Sequence, residues 1–207
     1  MTAVHVEDGP DKGAIWHFGT PAQEQRALAE GKAWADLSHL SIIEVSGDDR
    51  IKWLHDLTTQ HLLNLPAGDW LPAMILDHNG HVEYQFNLVD DGDKTFIVID
   101  PGYAEGLLAY LLKMRFMLKV DARDASADFS VLRAPGAPTV IGGPYALVPR
   151  AELDSMKSVF NESAKEVGTW ALDAERVAAG RPRHGIDTDH KAIPNELGVL
   201  NKDVHMN

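Results

Sequence analysis

The sequence contains no cysteine among its 207 residues. This absence excludes disulfide bonds, thiolate metal ligands and a cysteine nucleophile. A net positive charge is missing as well, because 19 basic side chains are outnumbered by 31 acidic ones and the formal net charge is −12. Nucleic acids and anionic membrane surfaces attract proteins through basic residues, so the charge argues against DNA and against a membrane surface as partners.

Long apolar segments are also missing. No apolar run approaches the roughly 20 residues that a membrane-spanning helix needs. The polar and acidic stretch from Met1 to Asp11 lacks the apolar centre of a signal peptide. Together these absences predict a soluble protein of the cytoplasm. The apolar fraction of 44% nevertheless predicts a globular chain with one large domain or two small ones.

Signatures of nucleotide, metal and nucleophile sites are absent or weak. The sequence has neither Gly-x-Gly-x-x-Gly nor Gly-Lys-Ser/Thr, which disfavours the nucleotide enzymes that use them. His78 and His81 flank one turn without a third ligand, so exposed turn histidines are favoured over a metal site. Residues 187–190 alternate oxygen ligands but lack the glycine and the late glutamate of a calcium loop. Ser38 and His39 are adjacent, which does not make a nucleophile–base pair. We therefore predict no catalytic residue and no metal ligand.

Hydrophobic periodicity and turn residues predict an α+β chain in which helices are mixed with antiparallel hairpins. The strongest turn signal is Asn79-Gly80, because both residues readily adopt positive φ. Residues 1–20 are expected to form a tail with short apolar contacts at Ile15, Trp16 and Phe18, and residues 134–144 a loop rich in proline and glycine. Helices are expected at residues 21–32, 51–60, 103–116, 150–167 and 169–179. Strands are expected at residues 41–46, 70–76, 82–89, 95–99, 117–122, 129–132 and 145–148.

Arg176 lies in the last predicted helix, on a stripe that also contains Leu172 and Ala179. A cation near the end of a helix satisfies backbone carbonyl groups, which is its ordinary role. A guanidinium there can equally receive a ligand carboxylate or the polar edge of a ring. The residues themselves leave both interpretations open.

Two segments resemble the glycine cleavage T-protein family and its YgfZ relatives. The first begins with Asp36-Leu37-Ser38-His39-Leu40 and continues through the predicted strand to Ser46-Gly47-Asp48 and the next helix. The second begins at Arg176 and contains Gly180-Arg181-Pro182, Gly185, Asp187, Asp189 and Ile193-Pro194. With the Asn79-Gly80 hairpin, these ordered matches cover most of residues 36–207. They look most similar to actinobacterial YgfZ folate-binding proteins.

The resemblance implies a folate-binding α+β fold with antiparallel sheets and flanking helices. It divides the chain into a tail with the first helix (1–35), a first subdomain (36–133) and a second subdomain (134–207). It further implies that tetrahydrofolate contacts Leu40, Tyr84, Gln85, Leu172 and Arg176. For the YgfZ branch it implies a role in the assembly or repair of iron–sulfur proteins, which would be its partner proteins.

The chain departs from the family at three places. T-protein aminomethyltransferases carry an Asp-Asp pair just after the hairpin, where this chain has Tyr84 and Gln85. An amide does not carry the negative charge that supports a cationic intermediate, so aminomethyl transfer is disfavoured while folate binding is not. The cysteine motif of the YgfZ branch and the barrel domain behind it, expected directly after Asn207, are absent. The connection from Leu132 to Tyr145 is short, and the Gly-Glu pterin-binding loop of T-proteins is not recognisable in it.

Three functions follow from these observations. The main prediction is a tetrahydrofolate-binding protein of the YgfZ type, without complete chemistry of its own. The second keeps the fold and makes the chain a folate-dependent aminomethyltransferase. The third is a folate-free scaffold for partner proteins, which a shallow and polar surface would favour over a deep pocket.

Overall fold

A computed structural model of the chain describes residues 2–136, 144–199 and 204. The described residues form eleven strands, five α-helices and one 3-10 turn, Arg150–Glu152. The strands are β1 (Val4–His5), β2 (Ile15–His17), β3 (Ala33–Asp36), β4 (Ser41–Ser46), β5 (Trp70–Leu76), β6 (Val82–Asp90), β7 (Thr95–Ile99), β8 (Asp121–Asp124), β9 (Phe129–Arg133), β10 (Tyr145–Pro149) and β11 (Lys165–Glu166). The helices are α1 (Pro21–Ala29), α2 (Arg50–Leu57), α3 (Pro101–Met114), α4 (Leu153–Asn161) and α5 (Thr169–Ala178).

The chain folds into two compact units, each assembled from two separate stretches. The first unit comprises Met1–Ser41 and Ser126–Ala179, and the second comprises Ile42–Ala125 and Gly180–Asn207. These units are discontinuous in sequence, whereas the predicted segments run continuously along the chain. The three segments therefore stay a prediction about subdomains.

The first unit is built around a four-stranded sheet with the order β10-β9-β3-β11. The β9–β10 and β3–β9 pairs are antiparallel, and β11 runs parallel to β3. Successive residues of a strand point to opposite faces. Accordingly, Ala33 and Ala35 pack in a cluster with Leu28 of α1, while Trp34 packs in another cluster with Phe160 of α4. Helices therefore cover both faces of this sheet.

The second unit is built around a five-stranded sheet with the order β5-β6-β7-β4-β8. Its large core cluster includes Trp53 and Leu54 of α2 and Leu107 of α3. On the other face, Val199 from the C-terminal stretch packs against Val82 and Met74. The C-terminal stretch thus closes the face that the helices leave open.

The predicted α+β fold with antiparallel sheets and flanking helices is confirmed. Strands β5 and β7 have the predicted bounds, and β4 is also where the alternating pattern placed it. Helices α1, α2, α3 and α5 begin within about two residues of their predicted starts, the accuracy that helix-end assignment allows. No helix in the described part of the chain is both long enough and apolar enough to cross a membrane.

The expected tail over residues 1–20 contains two short strands, whereas its expected apolar contact at Trp16 is present. β1 and β2 form a small antiparallel sheet, and Trp16 on β2 meets the ring of Trp170 on α5 at a centroid distance of 5.2 Å. Strands of two or three residues are too short to produce a visible alternation, which is why the sequence pattern missed them.

Three further predictions are corrected. The helix expected to reach Val167 ends at Asn161. It is followed by β11, an edge strand that pairs with β3, and neither of these two strands was predicted. The strand expected at 117–122 is displaced to Asp121–Asp124, because Phe116 has a φ of 44° and Met117 is 98% exposed. The predicted loop at 134–144 falls mostly on residues 137–143, which lie outside the described residues.

Candidate functional site

The hairpin between β5 and β6 is fixed by the carboxylate of Asp77. It accepts hydrogen bonds from the backbone N–H of Asn79 and of His81, both at 2.8 Å, and lies 3.1 Å from His81 Nδ1. Burial alone would raise the pKa of Asp77, but these hydrogen bonds lower it to about 2. Asp77 is therefore ionised at neutral pH and committed to holding the turn.

A β-bulge follows this turn on β6. Ile75 pairs with Tyr84, but Leu76 pairs with Val82, so Glu83 is an extra residue without a partner on β5. The bulge changes which face the side chains occupy: Val82 packs with Met74, whereas Tyr84 packs against the core cluster on the helix face. Glu83 itself is exposed. A bulge of this kind re-aims the side chains around it, and bulges are frequent beside active sites.

Two tyrosines lie at this bulge, Tyr84 on β6 itself and Tyr110 on α3. The ring centroids of Tyr84 and Tyr110 are 6.2 Å apart. Burial raises the pKa of both Tyr84 and Tyr110, and the negative charge of Glu83 raises each further. The carboxylate of Glu83 is thus electrostatically coupled to both phenol groups.

The side-chain amide of Gln85 holds the loop at residues 182–184. Its Oε1 accepts the backbone N–H of His184 at 2.9 Å, and its Nε2 donates to the carbonyl oxygen of Pro182 at 3.3 Å. The same loop is anchored by Arg183, whose guanidinium binds both carboxylate oxygens of Asp100 at 2.9 and 2.5 Å. The loop is consequently tied both to β6 and to the residue before α3.

His184 belongs to this loop, and its side chain is buried, with 8% of its surface exposed. Its ring lies 5.1 Å from that of Tyr103, and its Nδ1 is 3.1 Å from Thr188 Oγ1. Burial lowers the pKa of His184, against the opposing effect of Asp100, which favours the neutral ring. Gly185 follows with a φ of +79°, and a Cβ there would lie 2.2 Å from the hydroxyl of Tyr103. Glycine is therefore required for the close approach of loop and tyrosine.

These elements surround a pocket of about 930 Å³ in the second unit. Its wall combines carboxylates, imidazoles and phenol rings, contributed among others by Asp77, His81, Glu83, Tyr103, Tyr110 and His184. The volume falls within the roughly 300–1,000 Å³ that small-molecule sites occupy. The arrangement offers aromatic faces, a free carboxylate and a neutral imidazole to a ligand.

The five residues predicted to contact tetrahydrofolate belong to both units. Tyr84 and Gln85 are neighbours on β6 in the second unit, and Gln85 is occupied by the loop contacts described above. Leu40, Leu172 and Arg176 belong to the first unit. Their assignment as folate contacts stays a prediction.

The local contacts of the three residues in the first unit are ordinary ones. Leu40 donates its backbone N–H to the carbonyl oxygen of Leu37 at 2.9 Å. Leu172 packs against the cluster that contains Leu28. The Nε of Arg176 donates to Asp173 one turn earlier at 2.8 Å. Asp173 is thus one partner of the guanidinium of Arg176.

Sequence reasoning missed Glu83, Tyr103, Tyr110 and His184. Glu83 lies within a predicted strand, and the register shift on that strand decides which way it points. The other three are brought together by contacts between residues more than 70 positions apart. The anchor of Arg183 was equally hidden, because its partner Asp100 lies 83 residues away in sequence.

The histidines of the hairpin do not assemble a metal site with their neighbours. Among residues 2–136, 144–199 and 204, no group of three or more His, Asp or Glu side chains is arranged to hold a metal ion. His81 instead pairs with Asp77 inside the turn.

Comparisons with known proteins place this geometry in a family. The GCVT N-terminal domain family matches residues 12–140. An aminomethyltransferase of Methylococcus capsulatus is 22% identical over 88% of this chain and 61% of its own length, and one of Nitrosococcus oceani is 21% identical over 88% and 60%. A putative chloroplastic transferase of Arabidopsis thaliana is 20% identical over 97% of this chain and 55% of its own length. This chain thus spans about three-fifths of the length of these relatives.

A solved structure shows the same fold. The crystal structure of the glycine cleavage system aminomethyltransferase T from Bartonella henselae superposes with a TM-score of 0.75 over 93% of this chain and 63% of that one. The sequence identity is 14%, so this likeness is one of fold. Because the family match covers more than half of the residues and the folds agree, the chain belongs to the GCVT N-terminal domain family.

Proposed function

We propose that this chain is a tetrahydrofolate-binding protein of the YgfZ type that does not transfer aminomethyl groups. Membership of the GCVT N-terminal domain family supports a folate-related role. The resemblance to the YgfZ branch, in its actinobacterial form, supports the finer assignment. In this proposal the protein acts in the cytoplasm on iron–sulfur proteins as clients.

One observation carries the proposal. Where the resemblance places the aspartate pair of T-proteins, this chain has Tyr84 and Gln85, and both ends of the Gln85 amide are used to hold the loop at 182–184. An uncharged group that is already hydrogen-bonded supplies no anionic stabilisation to a cationic intermediate. Binding without transfer is the chemistry that remains.

The residues of the second unit fit a folate ligand. The pocket is large enough for a bicyclic ring and lies beside aromatic side chains that stack on flat heterocycles. Tyr103 and Tyr110 would hold the ring system, and the loop that Gln85 fixes would form one wall. Bound tetrahydrofolate carries one-carbon groups on its N5 and N10 atoms.

Binding is tested by titrating the chain with 5-formyltetrahydrofolate and following the fluorescence of its five tryptophans. We expect saturable binding and, in a separate assay with an aminomethyl-loaded carrier protein, no transfer to tetrahydrofolate. Aminomethyl transfer by the unaltered chain would contradict the proposal, and absence of folate binding would support the scaffold hypothesis instead.

The variant Gln85→Asp separates the folate-binding proposal from the aminomethyltransferase hypothesis. We expect this variant to lose the donor to Pro182 and to weaken binding without gaining transfer, because its carboxylate also accepts the N–H of His184. Gln85→Glu, which keeps the side-chain length, is the matched control for the loop contact. Transfer by Gln85→Asp would revive the aminomethyltransferase hypothesis, which the names of the curated relatives favour.

The iron–sulfur role is tested in cells. We expect cells without this protein to lose part of the activity of their iron–sulfur enzymes, and expression of the unaltered protein to restore it. Full iron–sulfur activity in its absence would remove this part of the proposal while leaving folate binding intact.

A further inference from the structure

We infer that the loop between α3 and β8 is a docking surface for a partner protein that presents an apolar cleft bordered by Asp and Glu side chains. This loop exposes three consecutive large apolar residues, Phe116, Met117 and Leu118, which we call the apolar tip. None of the three lines the pocket of about 930 Å³, so the inference does not depend on folate binding.

The exposure of the apolar tip is the first reason. Phe116 is 78% exposed, Met117 98% and Leu118 45%. Leu112, in the last turn of α3, is exposed as well. Apolar residues that are exposed singly are common on protein surfaces, but contiguous ones mark interaction sites. The tip therefore offers apolar surface that folding of the second unit leaves uncovered.

The loop is held at both ends, which is the second reason. The indole Nε1 of Trp53 donates to the carbonyl oxygen of Met114 at 3.1 Å, before the tip. The carboxylate of Asp49 accepts the backbone N–H of Lys119 at 2.8 Å, after the tip. A surface whose ends are already fixed loses less conformational freedom when it binds a partner.

The backbone of Phe116 is the third reason. Its φ of 44° makes it the one residue other than glycine with a positive φ in the described part of the chain. Glycine and asparagine adopt this conformation at lower cost than a bulky residue does. The Phe116 side chain is mostly exposed, so burial within the fold does not explain why an aromatic residue stands here. Backbone strain of this kind concentrates at functional sites.

Charge identifies the kind of partner. Residues 112–119 contain three basic residues and no acidic one, in a chain whose net charge is −12. Arg115 pairs with Asp121 at 3.0 Å, whereas Lys113 and Lys119 are exposed and form no ion pair with other described residues. The dipole of α3 explains a cation at Lys113 but not one at Lys119, which lies beyond the last turn. An apolar surface with a basic border is complemented by an apolar cleft with an acidic rim.

Two other occupants fit this charge distribution less well. An anionic bilayer is a plane that would also face the acidic remainder of the chain, which it repels. A second copy of the chain carries the same net charge of −12, so two copies repel each other as they approach. A partner protein needs acidic groups only around the cleft that receives the tip.

The test begins with photo-crosslinking in the cells that make the protein. The photoreactive residue p-benzoylphenylalanine replaces Met117 in one form of the whole chain and Leu63 in the matched control. Leu63 is also an exposed apolar residue of the second unit, at 50% exposure, but lies outside the loop. We expect a protein to be crosslinked from position 117 and not from position 63. That protein is then identified by mass spectrometry and purified for binding measurements.

Variants decide whether the captured protein binds as inferred. Phe116→Asn combined with Met117→Ser removes the apolar surface, and asparagine suits the positive φ. We expect this double variant to weaken binding by at least about 10-fold, as loss of an interface hot spot does, without a lower unfolding temperature. Lys113→Gln combined with Lys119→Gln should slow association at low salt and have little effect at high salt. Leu63→Ser should bind as the unaltered chain does.

Several results would overturn the inference. These are no crosslinked protein from position 117, the same protein from position 63, or undiminished binding by the double variant at 116 and 117. A double variant that unfolds more easily would show that the tip serves the fold. Crosslinks between copies, with a dimer in light scattering, would make the tip a self-association surface. Crosslinks to lipid, with sedimentation on vesicles of phosphatidylcholine and phosphatidylglycerol, would make it a membrane contact. None of these results changes the proposed folate binding, and a chain that fails to bind folate would leave the docking surface standing.

Discussion

The two units of this chain obtain their sheets in different ways. In the second unit β5, β6 and β7 follow one another and pair in chain order through short turns. In the first unit β3 pairs with β9, almost 100 residues later, and with β11, which lies later still. The first unit therefore depends on long-range contacts, while much of the second is built from neighbours in sequence.

Each unit also contains a buried ion pair between distant residues. In the first unit the fully buried Arg133 of β9 pairs with Glu175 of α5 at 3.3 Å. In the second unit Asp90, at the end of β6, accepts Thr95 Oγ1 from the adjacent strand and both Nε and a terminal nitrogen of Arg50. Burial alone would raise the pKa of Asp90, but hydrogen bonds from Arg50 and Thr95 hold it below its usual value. These pairs span 42 and 40 residues of the chain, so the two units differ in how their strands pair and not in the reach of their buried ion pairs.

The largest effect is expected for Glu175→Ala. This change removes the carboxylate of Glu175 from the fully buried guanidinium of Arg133, and breaking a buried ion pair costs about 3–5 kcal/mol of unfolding free energy. Urea unfolding followed by fluorescence measures the loss. A loss below about 1 kcal/mol would show that the pair is not what joins β9 to α5.

An intermediate effect is expected at a matched pair of glycines. A Cβ at Gly47 would lie 2.0 Å from the carbonyl oxygen of Lys119, and one at Gly168 would lie 2.1 Å from that of Trp16. Overpacking costs about 1–3 kcal/mol at each site. Gly47 also has a φ of +108°, so Gly47→Ala should cost roughly 1 kcal/mol more than Gly168→Ala.

The control for this pair is Gly80→Ala in the hairpin, where φ is +84° but nothing lies within 4 Å of a Cβ. This variant should show the cost of backbone conformation alone. If Gly168→Ala proved as mild as a surface substitution, the close approach of β2 to the start of α5 would be wrong.

The fold was readable from sequence where contacts are local. Alternation and the Asn79-Gly80 turn predicted β5, β6 and β7, and helical periodicity predicted α3. The pattern did not reveal β3 or β11, because each is short and is defined by pairing with a distant partner. The candidate site follows the same rule: the place of Gln85 after the hairpin was predicted, but the Glu83 bulge is a matter of register that residue types do not encode.

The smallest expected effect is a dependence of stability on pH in the second unit. Burial lowers the pKa of His184 below its ordinary value of 6.5, so the folded chain binds fewer protons than the unfolded chain in this range. The stabilisation is therefore complete above pH 6.5 and is lost as the pH falls through the folded pKa. We expect His184→Gln to flatten the dependence of the unfolding free energy on pH. Urea unfolding between about pH 7.5 and about pH 5, where histidine changes its charge, measures this dependence. An unchanged slope would show that His184 is not the group responsible.

The most direct test of the central claim is to follow the backbone amide signals of the isotope-labelled chain by NMR while adding tetrahydrofolate. The account predicts saturable shifts that centre on Glu83, Tyr103, Tyr110 and Gly185 in the second unit. Saturable shifts that leave these residues untouched, or no shifts with the ligand in large excess, would contradict the proposal that this pocket binds tetrahydrofolate.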